Sequence, residues 1–431
     1  GGANYERFAW TVQKFNDFFK PIETYRSDST LEQAIWAACG CKKQSEKDAT
    51  GIEKTYDLDL LNRIITATKK GVNSPTDDLK TQYTYDAVDR RITERTVGGT
   101  EGNSISMLVS SNSFDLAGRV VSSVNSLDLT NSYIYQNGGR VSTVAHPGGL
   151  TNVTDNYLDR RAKYTKESDI IRQYYDYGVN ADGSRWDMVY TGPQGASSPM
   201  WSKTTRGFLG HIIREERPGF GVVVLTNSFV YNSKGQLIRT SNNVQPASLY
   251  EHNDLGEQTR SGLDLNNNGT LDLASMDRIT ENENFFEKNG SDWFGVSISK
   301  LYAQDNSAAI TTNSIQKTKL TGLSAGGLVS SVVSSDILGN QITSTTAIDR
   351  NNKKVTQTVS YPDSTNSASQ TTINGLLVSS TSKTGIKIDF GYDLLERHTS
   401  VTDPRTGTSI THYNSKGQVD YVEDAASNRT S

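Results

Sequence analysis

One short pattern recurs along this chain and limits what the chain can fold into. An aromatic residue and an acid or amide are followed by two spacers, a turn residue, a basic or polar residue and an aliphatic one. Tyr85-Asp86-Ala87-Val88-Asp89-Arg90-Arg91-Ile92 is the type example. Indexed by its turn residue, the pattern falls at Phe19, Asn62, Asp89, Gly118, Gly139, Asp159, Gly210, Gly235, Gly256, Gly339, Leu377, Glu396 and Gly417. Ten of these thirteen are Gly, Asn or Asp, the residues that tolerate the positive φ of a tight turn. Phe19, Leu377 and Glu396 depart from that rule, so their turns are expected to be strained or built differently.

The spacing defines the repeating unit. Gly118 to Gly139 is 21 residues, Asp159 follows after 20, and Gly235 to Gly256 is again 21. Such a period has room for two strands of roughly seven or eight residues, each ~25 Å long, and two turns. One unit is therefore a β-hairpin. Tyr83 and Tyr85, and Tyr133 and Tyr135, stand two apart, which places each pair of rings on one face of a strand. A single hairpin cannot bury that aromatic stripe, so stability has to come from adding units side by side. The expected fold is all-β, a laterally stacked β-hairpin ribbon. Helical signal is weak and is best at residues 31–38, beside a segment that itself fits the turn pattern. By repeat register the chain divides into a first ribbon at 1–255, with a loop insertion at about 177–205, an insertion at 256–335 with degenerate hairpins such as the one at Asp292-Trp293-Phe294-Gly295, and a second ribbon at 336–431.

Composition narrows the function classes. The hydrophobic fraction is 34%, and no apolar run approaches the ~18–20 residues of a membrane span. No signal peptide is visible, and both ends read as the interior of a longer polypeptide, so the chain is expected to be an excerpt. The net charge of −4 argues against a nucleic-acid groove, which needs an excess of Lys and Arg. Cys39 and Cys41 are too few for a disulfide framework, and one intervening residue makes a bridge between them tight; they read as incidental thiols.

The sharpest candidate site runs from Asp264 to Asp277. Asp264, Asn266, Asn268 and Asp272 take positions 1, 3, 5 and 9 of an EF-hand-like loop, with Gly269 at the sharp turn and the Thr270 carbonyl at position 7. Calcium takes six to eight oxygens of these kinds. Position 12 is Ser275 instead of the bidentate Glu, and Asp277 is the candidate to replace it. The competing reading is an Asn/Gly-rich turn whose side chains bond their own backbone. His146, His211, His252, His398 and His412 show no metal-ligand spacing and read as solvated turn residues. No nucleophile elbow, phosphate loop or zinc motif is present. An acid beside an aromatic at every hairpin is explained by turn hydrogen bonding, so no enzyme is expected. The basic residue after the turn, as in Arg63, Arg90, Arg119, Arg140, Arg160 and Arg397, is expected to pair with a nearby Asp or to lie over a tyrosine.

Taken together, Tyr85-Asp86-Ala87-Val88-Asp89-Arg90, Phe114-Asp115-Leu116-Ala117-Gly118-Arg119, Tyr231-Asn232-Ser233-Lys234-Gly235-Gln236 and Tyr392-Asp393-Leu394-Leu395-Glu396-Arg397 resemble the RHS/YD-repeat family, from about residue 15 to 431. The resemblance implies hairpin ribbons that spiral into a hollow shell, holding a toxic effector in bacterial members and serving adhesion in the animal teneurins. The segment that closes such a shell and cuts off an effector has no counterpart here, so autoproteolysis and toxicity do not carry over. The expected function is a structural segment of a secreted or cell-surface protein, part of a shell that encloses or displays a cargo. Its partners would be an enclosed effector or neighbouring copies. The alternative is an adhesion or filament module that assembles through sheet edges; a glycan-active enzyme is the remaining class.

Overall fold

The computed structural model describes residues 9–100, 103–195, 198–221, 223–363 and 367–431. Residues 1–8, read from sequence as an internal start, lie outside them. The described residues form thirty-five strands and two three-residue 3-10 turns, Asn137–Gly139 and Ala325–Gly327, with no α-helix among them. The strands pair antiparallel with their chain neighbours, so the ribbon of hairpins stands. Alternation along the strand Thr130–Gln136 is strict: Tyr133 and Tyr135 lie half-buried on one face and Ile134 is exposed on the other. The helical candidate at 31–38 is instead the strand Leu31–Trp36, paired on one side through Tyr25–Leu31 and on the other through Gln33–Lys47. Within the stretch at about 177–205 the chain forms the strands Arg185–Thr191 and Met200–Arg206, which pair with each other.

Contacts divide the chain into two compact units. One holds Gly1–Leu129, Asn284–Ser297 and Ile315–Ser431; the other holds Thr130–Glu283 and Ile298–Ser314. Fully buried apolar side chains are sparse in both. The buried cluster of Leu249, Leu271, Ile279 and Tyr302 lies in the second unit. With little core to hold a single sheet, order has to come from contacts that link one hairpin to the next.

The turn motif supplies those contacts. Asp59 Oδ1 accepts the main-chain N–H of Leu61 (2.9 Å) and Arg63 (2.8 Å), and its Oδ2 accepts from Arg63 Nε at 2.7 Å. The same guanidinium lies 4.2 Å from the ring centroid of Tyr85, one hairpin on. Tyr85 then donates its hydroxyl back to the Ile64 carbonyl at 2.9 Å. Arg63 thus does both things expected of it at once. The cycle repeats at Asp393, Arg397 and Tyr413, where Tyr413 donates to the His398 carbonyl at 2.8 Å. In the second unit His211 takes the arginine's place and stacks on Tyr231 at 4.7 Å, while Tyr231 donates to the Ile212 carbonyl.

The turn residues behave largely as their chemistry demands. Asn62 adopts φ 58, and the exceptional Phe19 and Glu396 adopt φ 56 and 59 despite their side chains. Where the indexed residue is Asp89 or Asp159, the following Arg90 or Arg160 takes the positive φ instead. Leu377 is not a turn residue. It lies in the strand Leu376–Thr381, and Asn374 and Gly375 make the bend at φ 52 and 83. Cys39 and Cys41 are also not incidental thiols, since they are joined as a disulfide. Gly40 between them, at φ 63, folds the chain back so that the two Cα atoms lie 5.2 Å apart, within bridging range. Nor are all the histidines solvated: His252 Nδ1 and His398 Nε2 are buried without a hydrogen-bond partner among the described residues.

Within the first unit, residues 9–129 and 315–431 form two arms that meet along their turns. Lys353 Nζ donates to the carbonyls of Lys70 and Gly71 at 2.7 and 2.6 Å. Lys69 pairs with Glu396 at 2.7 Å, and Lys416 pairs with Asp128 at 2.9 Å. Gly51 and Gly98 lie so close to the carbonyls of Arg350 and Leu394 that neither position has room for a Cβ.

The tyrosine-to-carbonyl bond gives a direct test of the hairpin link. Tyr85→Phe keeps the stacked ring and removes only the hydroxyl. Equilibrium urea unfolding should show a loss of about 0.5–1.5 kcal/mol with an unchanged m-value.

Candidate metal loop

The Asp264–Asp277 segment connects the strand Gln258–Asp264 to the strand that begins at Arg278, and the two pair at Gly262–Ile279 and Leu263–Arg278. The loop is anchored by its apolar residues. Leu271 enters the buried cluster with Leu249, Ile279 and Tyr302, and Leu273 packs against it. Gly262 leaves the space that Leu271 fills.

The polar residues are organised by two buried carboxylates. Asp264, 1% exposed, accepts the N–H of Asn268 and of Gly269, both at 3.0 Å. Asp277, 3% exposed, accepts from Leu265 N at 2.9 Å and Asp272 N at 3.0 Å. Asp277 therefore staples the start of the loop to its middle. Ser275, at position 12, is tied into the loop itself: its hydroxyl donates to the Asp272 carbonyl and accepts the Asp277 N–H. Asn266 and Asn268 turn their amide N–H groups onto Asp272 at 3.3 and 2.5 Å. Those bonds, Asn268's first, hold the Asp272 carboxyl below its ordinary value. Thr270 caps Asn268 through both its N–H and its hydroxyl.

All six residues singled out from the sequence thus belong to one bonded loop. Among the described residues no group of three or more His, Cys, Asp or Glu is placed to hold a metal ion. The donors are oxygens throughout, which suits a hard cation. Each carboxylate oxygen of Asp264 and Asp277 accepts one main-chain N–H and retains a second lone pair.

A shallow concavity on the first arm, lined by Pro21, Ile22, Ala34, Ile52, Glu23 and Glu46, places two acids on one sheet face. Both are committed elsewhere. Glu23 accepts from Lys14 at 2.7 Å and Tyr25 at 3.0 Å, and the lysine bond holds its carboxyl down. Glu46 is held down first by Lys43 and then by Tyr56, whose own phenol is pushed up to about 12 by burial and by Glu46. A general acid needs the opposite shift, towards the working pH.

No protein-family model matches the chain, and no curated protein matches it. Solved structures do. A crystal structure of TcdB2-TccC3 is 9% identical, with 96% of this chain and 29% of that chain covered and a TM-score of 0.42. The Photorhabdus luminescens Tc holotoxin pore is 9% identical, covering 95% and 24%, with a TM-score of 0.29. A TcdB2-TccC3-Cdc42 structure is 10% identical, covering 96% and 24%, with a TM-score of 0.29. These are RHS/YD-shell chains of the Tc toxin, the kind of fold that the turn pattern resembles. The chain spans less than a third of the length of each.

The turn carboxylates set the response to acid. Main-chain N–H donors hold Asp59 and Asp115 below the ordinary carboxylate value, and the Asn340 and Asn428 side chains do the same for Asp336 and Asp424. A carboxylate depressed in the folded state contributes stability above its unfolded pKa and loses it as pH falls through the folded value. The urea midpoint should therefore hold steady from neutral pH to about 5 and fall below about 4. Asp59→Asn keeps the accepting oxygen and should flatten part of that fall.

Proposed function

We propose that this chain is a non-catalytic wall segment of a secreted or surface-exposed YD-repeat protein. Its hairpin ribbon stacks one pass on another to enclose or display a cargo. The seam of the first unit carries this reading, because two arms far apart in sequence dock turn on turn through Lys353, Lys69 and Lys416. Function here is exclusion and support, which needs no group poised for proton transfer. No helix among the described residues is long and apolar enough to cross a membrane. Small-angle scattering tests the enclosing role: a hollow wall shifts the pair-distance distribution to larger separations than a solid particle of the same mass gives, and the profile of a solid particle overturns it.

We also propose that the Asp264–Asp277 loop takes Ca²⁺ as a structural ion, through oxygens of Asp264, Asn266, Asn268, Thr270, Asp272 and Asp277. Supporting this, Asp264 and Asp277 are buried, and no lysine or arginine among the described residues pairs with either. Adding Ca²⁺ to chelator-treated protein should raise the melting temperature, with about 2.7 kcal/mol gained at a hundredfold excess over Kd. Asp272→Ala should abolish the rise. A melting temperature indifferent to both Ca²⁺ and EDTA makes the loop a turn and nothing more.

A further inference from the structure

The hairpin between the strands Leu31–Trp36 and Lys43–Lys47 turns through Ala37-Ala38-Cys39-Gly40-Cys41-Lys42. Its main chain closes without help from side chains. Ala37 N donates to the Lys42 carbonyl at 2.9 Å, and Gly40 N donates to the Ala37 carbonyl at 2.8 Å. Two turns earlier the same pair of bonds runs from Asn16 N to the Lys20 carbonyl and from Phe19 N to the Asn16 carbonyl, in a tip one residue shorter. There the Asn16 side chain also caps Phe18 N and Lys20 N, both at 3.0 Å. Ala37 has no such group to offer. The Cys41 N–H is met instead by Cys39 Sγ, at 3.4 Å.

The disulfide between Cys39 and Cys41 adds little to this fold. A cross-link stabilises least when the loop it closes is shortest, and here it spans one residue. The two strands are already paired with each other through Ala34–Glu46 and Ile35–Ser45. Each is paired on its outer side as well, through Thr24–Glu32 and Glu46–Lys54. Structural cysteines are buried and inert, whereas Cys39 and Cys41 are both exposed. Exchange with a thiol needs a reachable sulfur and a leaving thiolate whose charge is stabilised. The Cys41 N–H supplies that stabilisation to Cys39 Sγ, which makes Cys39 the better leaving group and Cys41 Sγ the sulfur to be attacked.

We propose that Cys39–Cys41 is a redox-active exchange site whose substrate is a dithiol. One substrate thiolate attacks Cys41 Sγ. The S–S bond breaks, and its electron pair leaves on Cys39 Sγ, which keeps the Cys41 N–H bond and then takes a proton from solvent. The second substrate thiolate attacks its partner sulfur in the mixed disulfide and expels the Cys41 thiolate, which is protonated in turn. The substrate gives up two electrons and two protons and closes a disulfide of its own. The protein is left with two thiols at a tip whose main-chain bonds are untouched. The site does not depend on what the ribbon encloses. A small dithiol and a cysteine pair on a protein share this chemistry.

Thiol trapping on the 431-residue chain tests the proposal. Aerobically purified protein is mixed at neutral pH with dithiothreitol or with a reduced protein that carries a Cys-x-x-Cys pair. Free thiols are then alkylated and counted by intact mass. Two alkyl groups should appear on the native chain, at a rate within about tenfold of that in concentrated urea, with an unchanged circular dichroism spectrum. Brief exposure to glutathione and an acid quench should leave the mixed disulfide on Cys41 over Cys39 by about tenfold, resolved by fragment-ion mass spectrometry. Cys39→Ser with Cys41→Ser should take no alkyl group and keep the wild-type spectrum. Reaction with dithiothreitol alone supports the site and assigns it small-molecule dithiols; reaction with both reagents extends it to protein thiols. Cysteines already reduced in the purified chain, a bridge that opens only in urea, glutathione found chiefly on Cys39, or a double variant that unfolds overturns the proposal.

Discussion

The structure depends on a single relay: an arginine held by its own turn aspartate, stacked on the next hairpin's tyrosine, whose hydroxyl returns to the strand just behind that arginine. In a sheet with so few buried side chains, register cannot be set by jigsaw packing in a core. The relay sets it instead. The aspartate fixes the turn, the guanidinium fixes the spacing to the next ring, and the phenolic hydrogen bond fixes the alignment along the strand. Each contact alone is modest, since exposed ion pairs and cation–π contacts contribute under about 1 kcal/mol. Repetition lets their sum hold the ribbon, as in other arrays where each repeat leans on its neighbour.

Much of this was legible in the sequence because the relay is local and periodic. Gly118, Asn62 and Gly235 announce their turns by chemistry, and the paired tyrosines announce a face. The sequence was less exact where two residues could share a strained conformation. At Asp89 the aspartate looks like the turn residue, but Arg90 takes the positive φ. Leu377 seemed to hold a turn because the period pointed there, whereas Asn374-Gly375 three residues earlier has the better chemistry. The Cys39–Cys41 bridge was missed because its feasibility depends on the bend at Gly40, which spacing alone does not disclose.

The candidate metal loop illustrates the opposite balance. Its polar spacing was plain, and the residues do fold into one bonded loop. What spacing could not reveal is that Leu271 plugs the same loop into the buried apolar cluster with Leu249, Ile279 and Tyr302, or that Asp277 already works as a main-chain staple. A loop so anchored has a structural reason to exist without an ion. The seam of the first unit had no sequence signal at all. Lysines such as Lys69 and Lys353 are unremarkable in their own hairpins and acquire a role only through residues hundreds of positions away.

That separation has a consequence for how the molecule is made. The hairpin links join residues roughly one repeat apart, so they can form as each unit leaves the ribosome. The Lys69–Glu396 and Lys353–Lys70 contacts span 327 and 283 residues. Loop-closure entropy grows only slowly with length, but contacts of this range still form late. During synthesis the ribbon would therefore exist for a time as ordered hairpins with both rows of turns bare. The charged rims of those turns, Asp59 with Arg63 and Asp393 with Arg397, are in place from the start. They are what would keep a half-finished ribbon from sticking to the wrong edge before its own far end arrives.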